Sequence, residues 1–131
     1  MTMQPAKNAV DIGIIVEDID QSLEFYGNLL GLEKVQEMAV WFGTMHRMAF
    51  GDSFVKLIDP KKVPAQGNTG LATALGFRYL TFQVSNIDEV YEKCVRAGIP
   101  IELEKQELMP GVTIAMVRDP DENVVEFVER V

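Results

Sequence analysis

A chain of 131 residues, 47% of them hydrophobic, can bury one core and needs no separate second domain. A formal charge of −8, with Lys61-Lys62 as the longest basic run, excludes a phosphate-binding nucleic-acid surface. No apolar run approaches the ~20 residues of a membrane span, and the start MTMQPAKNAV lacks the basic and apolar regions of a signal peptide. The expectation is a cytoplasmic protein with no nucleic-acid or membrane partner.

In chain order, a strand at 9–16 leads into a helix at about 19–30, capped by Asp18 with Gln21 three residues on as in a capping box. Leu23, Tyr26 and Leu30 form its expected inward stripe, and Gly27 within it costs about 1 kcal/mol against alanine. Strands near 34–42, 45–51 and 53–59 follow, separated by the turn-prone pairs Gly43-Thr44 and Gly51-Asp52. The segment 60–76, PKKVPAQGNTGLATALG, reads as a linker or a flap. A strand at 78–84, a helix at about 87–97 capped by Asn86 with Glu89 three residues on, and strands near 100–106, 112–118 and 123–129 then repeat the order. Val16, Asp18, Ile19 and Asp20 match Val84, Asn86, Ile87 and Asp88 at a constant offset of 68, so the chain reads as one supersecondary unit written twice. The expected layout is a single domain over 1–131, with modules at about 9–59 and 77–131.

Strand parity assigns faces. Val10, Ile12, Ile14 and Val16 alternate with Asp11, Gly13 and Ile15, while Leu80, Phe82 and Val84 alternate with Tyr79, Thr81 and Gln83. Val55 and Leu57 flank Lys56, and Val125 and Phe127 flank Glu126. Helices cover the apolar faces, which leaves Asp11, Lys56, Tyr79 and Glu126 on the opposite one. The only cysteine, Cys94, shares a helix face with Ile87, Val90 and Tyr91, which marks a buried thiol rather than a nucleophile and excludes an intrachain disulfide. The only histidine, His46, excludes a site of two histidines and one carboxylate and reads as structural or exposed. Trp41, Phe42, Met45, Met48, Met109 and Met116 are core packing for the most part, with a few expected against a partly apolar small-molecule ligand. Arg78, Arg96 and Lys105 read as solvated charges.

Four segments, DIGIIVEDIDQSLEFYGNLLGLE at 11–33, GDSFVKLIDP at 51–60, YLTFQVSNIDEVYEKCVRAGI at 79–99 and RDPDENVVEFVE at 118–129, resemble the vicinal oxygen chelate superfamily of glyoxalase, bleomycin-resistance and dioxygenase-like proteins. The resemblance implies an α+β fold of two βαβββ modules forming a cupped mixed sheet with the helices outside, commonly as a homodimer. It also implies that metal-dependent members hold a divalent ion at the four positions occupied here by Asp11, Lys56, Tyr79 and Glu126. Of these, Glu126 alone is an unaltered ligand. Two unit charges at about 4 Å interact by roughly 4 kcal/mol at an effective dielectric near 20, so the Lys56 ammonium and a metal ion should exclude one another, and neither a metal nor another cofactor is expected.

An Asp11–Lys56–Glu126 network extended by Tyr79 has two readings. It fills a vacated metal site, or Lys56 polarises a ligand carbonyl or carboxylate while Glu126 or Asp11 moves a proton and Tyr79 donates a hydrogen bond. At the level of function these become a metal-independent lyase or isomerase acting next to a carbonyl and a non-catalytic sequestering protein of the bleomycin-resistance type. A divalent-metal-dependent glyoxalase I-like lyase is the third alternative.

Overall fold

A computed structural model describes the whole chain, Met1–Val131. The elements run β1 (Ile12–Ile15), α1 (Ile19–Leu23) continuing into a π-helical segment (Glu24–Leu29), β2 (Glu33–Val40), β3 (Gly43–Phe50), β4 (Ser53–Pro60), β5 (Tyr79–Gln83), α2 (Ile87–Arg96), β6 (Ile101–Met109), β7 (Val112–Arg118) and β8 (Val124–Arg130). They fall into two compact units, Met1–Pro64 and Ala65–Val131. Each unit is one βαβββ module of an α+β fold. Its sheet has four strands, ordered β1-β4-β3-β2 in the first unit and β5-β8-β7-β6 in the second. The first strand of each runs parallel to the last, and the other neighbours are antiparallel. The repeat read from the sequence is thus a repeat of topology. No helix is long and apolar enough to cross a membrane.

In the first unit, Val55, Leu57 and Met48 lie on one face of the sheet and are buried. Helix α1 lies against β4 on that side, and the approach is close at Gly27, where a Cβ would stand 3.3 Å from the Met48 methyl. The helix departs from the regular stripe expected for it. Asp18 caps it as predicted, accepting from the amides of Asp20 at 3.0 Å and Gln21 at 3.2 Å. Beyond Leu23, however, the turns widen, and the Leu30 amide donates to the Phe25 carbonyl five residues back. The wider turn buries both Phe25 and Tyr26, with Ser22, in place of Leu23 and Leu30. Gly31, at φ 89°, then ends the helix.

In the second unit, Phe82 and Phe127 stack at 6.4 Å with Val125 and Ala115 beside them, and α2 covers this face with Ile87 and Cys94. Asn86 makes no side-chain cap. The orphan amide of Ile87 instead donates to Glu129 Oε1 of β8 at 2.8 Å, so a partner distant in sequence supplies what a local residue was expected to give. One further expectation needs correction. The β2–β3 turn is Trp41-Phe42, and Gly43 already belongs to β3, where the carbonyl of Asp59 passes 2.2 Å from the place a Cβ would occupy. Glycine is required there by close approach of the backbone, not by a turn.

Candidate functional site

Sheet register places the four candidate residues in rows. On the face of the first sheet away from α1, Gly13 of β1, Lys56 of β4 and Arg47 of β3 stand side by side. The corresponding row of the second sheet is Thr81, Glu126 and Met116. Asp11 and Tyr79 lie one row along: Asp11 just precedes β1, and Tyr79 pairs with Val124. The neighbours of Lys56 and Glu126 on the first strand of each sheet are therefore a glycine and a threonine.

Asp11 is held by its own surroundings. Its Oδ1 accepts from Lys7 Nζ at 2.8 Å and from the Phe54 amide at 2.9 Å. The Lys7 hydrogen bond first, then the Phe54 amide, hold its carboxyl below the usual aspartate range, and the charge of Lys56 adds to this. Tyr79 is 54% exposed. Lys56 is half-buried and joins none of the chain's ion pairs. Glu126, also half-buried, accepts a hydrogen bond from Thr81 Oγ1 at 2.7 Å through Oε1.

Arg47 is the residue the sequence reading passed over. It lies directly across from Lys56, its guanidinium carbon is 5.0 Å from the centre of the Phe54 ring, and its Nε is buried without a hydrogen-bond partner. Lys7 Nζ sits 4.3 Å from the centre of the same ring. The signal was available: a tight turn at Gly51-Asp52 pairs Phe50 with Ser53 and, three residues further along each strand, Arg47 with Lys56.

His46 is on the opposite face, buried under the helix side, with Nδ1 3.3 Å from Glu37 Oε1. Lys34 donates to the same carboxylate at 2.5 Å, and chiefly this bond lowers its proton affinity. Of the Met and aromatic set, Met48 is core beneath the helix, Met45 and Met116 are buried on the faces of Lys56 and Glu126, and Trp41 and Met109 are exposed. Arg78 is not a free surface charge, since its guanidinium ties the carbonyls of Asn68 and Gly70 and the Thr73 hydroxyl into one loop. Lys105 pairs with Asp88 at 2.6 Å.

A model of the glyoxalase/bleomycin resistance protein/dioxygenase superfamily matches residues 9–127. This chain belongs to that superfamily. A relative is the uncharacterized protein YraH of Bacillus subtilis (strain 168), 25% identical over 126 residues that cover 90% of this chain and 94% of YraH. The crystal structure of SMU.1112c is similar with a TM-score of 0.80 at 26% identity, over 95% of this chain and 100% of that one. TnmS3, an antibiotic binding protein from Streptomyces sp. CB03234, shares the fold with a TM-score of 0.73 at 18% identity, over 98% of this chain and 100% of TnmS3. The same fold also serves a fosfomycin resistance protein of Listeria monocytogenes and a lactoylglutathione lyase of Agrobacterium tumefaciens, so membership in the superfamily does not by itself assign a reaction.

Taken one by one, these residues suit a divalent ion poorly: Lys56 carries an ammonium, Asp11 is committed to Lys7 and the Phe54 amide, and Tyr79 offers a weakly binding phenol. No three His, Cys, Asp or Glu side chains are grouped to hold a metal ion.

Proposed function

We propose that this chain is a metal-independent small-molecule-binding member of its superfamily, in which Lys56 meets an electron-rich group of the ligand directly. One observation carries the reading: Lys56 is half-buried on the face away from the helix and has no carboxylate partner. An ammonium partly removed from water and without a direct ion-pair partner leaves hydrogen-bonding capacity unused, and a ligand oxygen can accept those hydrogen bonds. Capture without chemistry is favoured because Asp11, held below the usual range, is a weak base, and Tyr79 lies a row away from Glu126 in its sheet. TnmS3, an antibiotic binding protein of the same fold, is a precedent for small-molecule binding on this scaffold.

The second reading is a lyase or isomerase acting beside a carbonyl, and Glu126 favours it. A half-buried carboxylate fixed by the Thr81 hydroxyl through one oxygen keeps the other for a proton. A screen of small carbonyl and aromatic compounds by thermal shift and calorimetry, with wild type, Lys56→Ala and Glu126→Gln, separates the two. Binding that Lys56→Ala weakens, without turnover, supports the binder. Turnover that Glu126→Gln abolishes while leaving affinity intact supports the enzyme. Ligand affinity untouched by Lys56→Ala, or dependent on added divalent metal, overturns the proposal.

A further inference from the structure

The pairing of Arg47 with Lys56 is electrostatically expensive. Like charges directly opposite one another on neighbouring strands repel, and these two are both half-buried. The chain has 20 acidic side chains, yet none forms an ion pair with either cation. The local balance is lopsided as well. Lys7 and Arg47 lie over the Phe54 ring, Lys56 stands opposite Arg47, and Asp11, which feels the charge of Lys56, spends its hydrogen bonds on Lys7 and the Phe54 amide. Arg47 also keeps an Nε–H that is buried and has no acceptor within the chain. In a protein whose formal charge is −8, two cations held side by side by strand register and joined to no carboxylate in an ion pair favour an anion from outside.

We infer that Arg47 and Lys56 together bind a small organic oxyanion, a carboxylate or a phosphate-type group, on the face of the first sheet away from α1. The division of labour follows from the side chains: the guanidinium offers a planar fork to two oxygens, and the ammonium a mobile point charge beside it. Phe54 stations the guanidinium from its other side at 5.0 Å, which restricts its motion and presets the fork. The inference rests on the binding reading above and gives it a ligand class.

The test is a titration followed by NMR, using benzoate and phenylphosphonate as anionic probes, benzyl alcohol as the neutral control and benzamidine as the cationic one. The anions should shift the Arg47 Nε–H signal and the amides of 45–49 and 54–58, and benzyl alcohol and benzamidine should not. The stronger of the two anions distinguishes a carboxylate site from a phosphate-type one. Arg47→Met and Lys56→Met should each weaken anion binding by roughly ten- to hundredfold, as expected for loss of a charge-assisted hydrogen bond. Arg47→Lys, which keeps the charge and loses the fork, should retain part of it. The free Arg47→Met and Lys56→Met proteins should melt above the wild type, because each relieves the repulsion, whereas a purely structural cation would leave a variant that melts lower. Anions that bind no better than benzyl alcohol, or shifts that persist in both methionine variants, overturn the inference. If a neutral compound binds in a Lys56-dependent way and the anions do not, the oxyanion assignment falls and the binding function stands. If Lys56 matters to no ligand, both fall.

Discussion

Asp119 opens the turn that starts β8, and replacing it with alanine tests how that turn is held. The side chain is 3% exposed. Its Oδ1 accepts from the amides of Asp121 at 2.9 Å and Asn123 at 2.8 Å, and its Oδ2 accepts from Asn123 Nδ2 at 2.9 Å. Asp119→Ala leaves two part-buried backbone donors without their acceptor, and hydrogen bonds to a charged group are worth about 1.5–3 kcal/mol each. Partial access of water to the turn lowers the sum, which puts the expected loss near 3–4 kcal/mol, a large share of the ~5–15 kcal/mol that holds a typical domain. Asp119→Asn keeps Oδ1 but turns a donor toward Asn123 Nδ2, so its cost should be intermediate. Urea denaturation followed by circular dichroism reads both, with the slope unchanged if the effect is on the folded state alone. An Asp119→Ala protein within about 1 kcal/mol of wild type would refute the claim that this carboxylate organises the turn.

Gly43→Ala should cost at least 2–3 kcal/mol, about the upper range for overpacking, because the new Cβ meets the Asp59 carbonyl oxygen at 2.2 Å and the Pro60 Cα at 2.9 Å. Gly13→Ala, with nothing within 4 Å, should be neutral or slightly stabilising in the same denaturation experiment. Because Lys7 and the Phe54 amide stabilise ionised Asp11, its carboxyl should titrate below 3.8 in an NMR-monitored experiment, and Lys7→Ala should raise it. The folded protein thus binds that proton more weakly than the unfolded chain does. The stability this contributes is complete above the unfolded value and is lost as pH falls through the folded one. Burial pushes the Cys94 thiol up to about 11, so a thiol reagent such as DTNB should react slowly with native protein and rapidly in urea. That thiol works in the opposite sense: its contribution is complete below 9.0, the ordinary value, and fades as pH climbs from there toward about 11.

Topology was legible because it was written twice. Period-two alternation in Val55-Lys56-Leu57 and Val125-Glu126-Phe127 gave the faces of β4 and β8 correctly. Parity gives a face but not a row. Asp11 and Lys56 do share a face, yet β1 and β4 are parallel and joined by no turn that sets their register, so nothing local puts Gly13 rather than Asp11 beside Lys56. The reverse holds for Arg47, whose position follows from the Gly51-Asp52 turn once that turn is counted through. The widened helix at Glu24–Leu29 packs with Gly27 close to Met48 of β3, and the cap on α2 comes from Glu129, 42 residues beyond Ile87. Both are tertiary effects that a pattern over neighbouring residues does not contain. Thr81 went unweighted for a related reason: a hydroxyl on a strand means little until the carboxylate it serves is known.

The central claim of the proposal is that Lys56 meets the ligand directly and that no divalent ion takes part. Elemental analysis after dialysis against zinc, nickel and manganese, performed on wild type and Glu126→Gln, tests it most directly. Only trace metal on both proteins is the predicted result. Stoichiometric metal on the wild type that disappears in Glu126→Gln would contradict it.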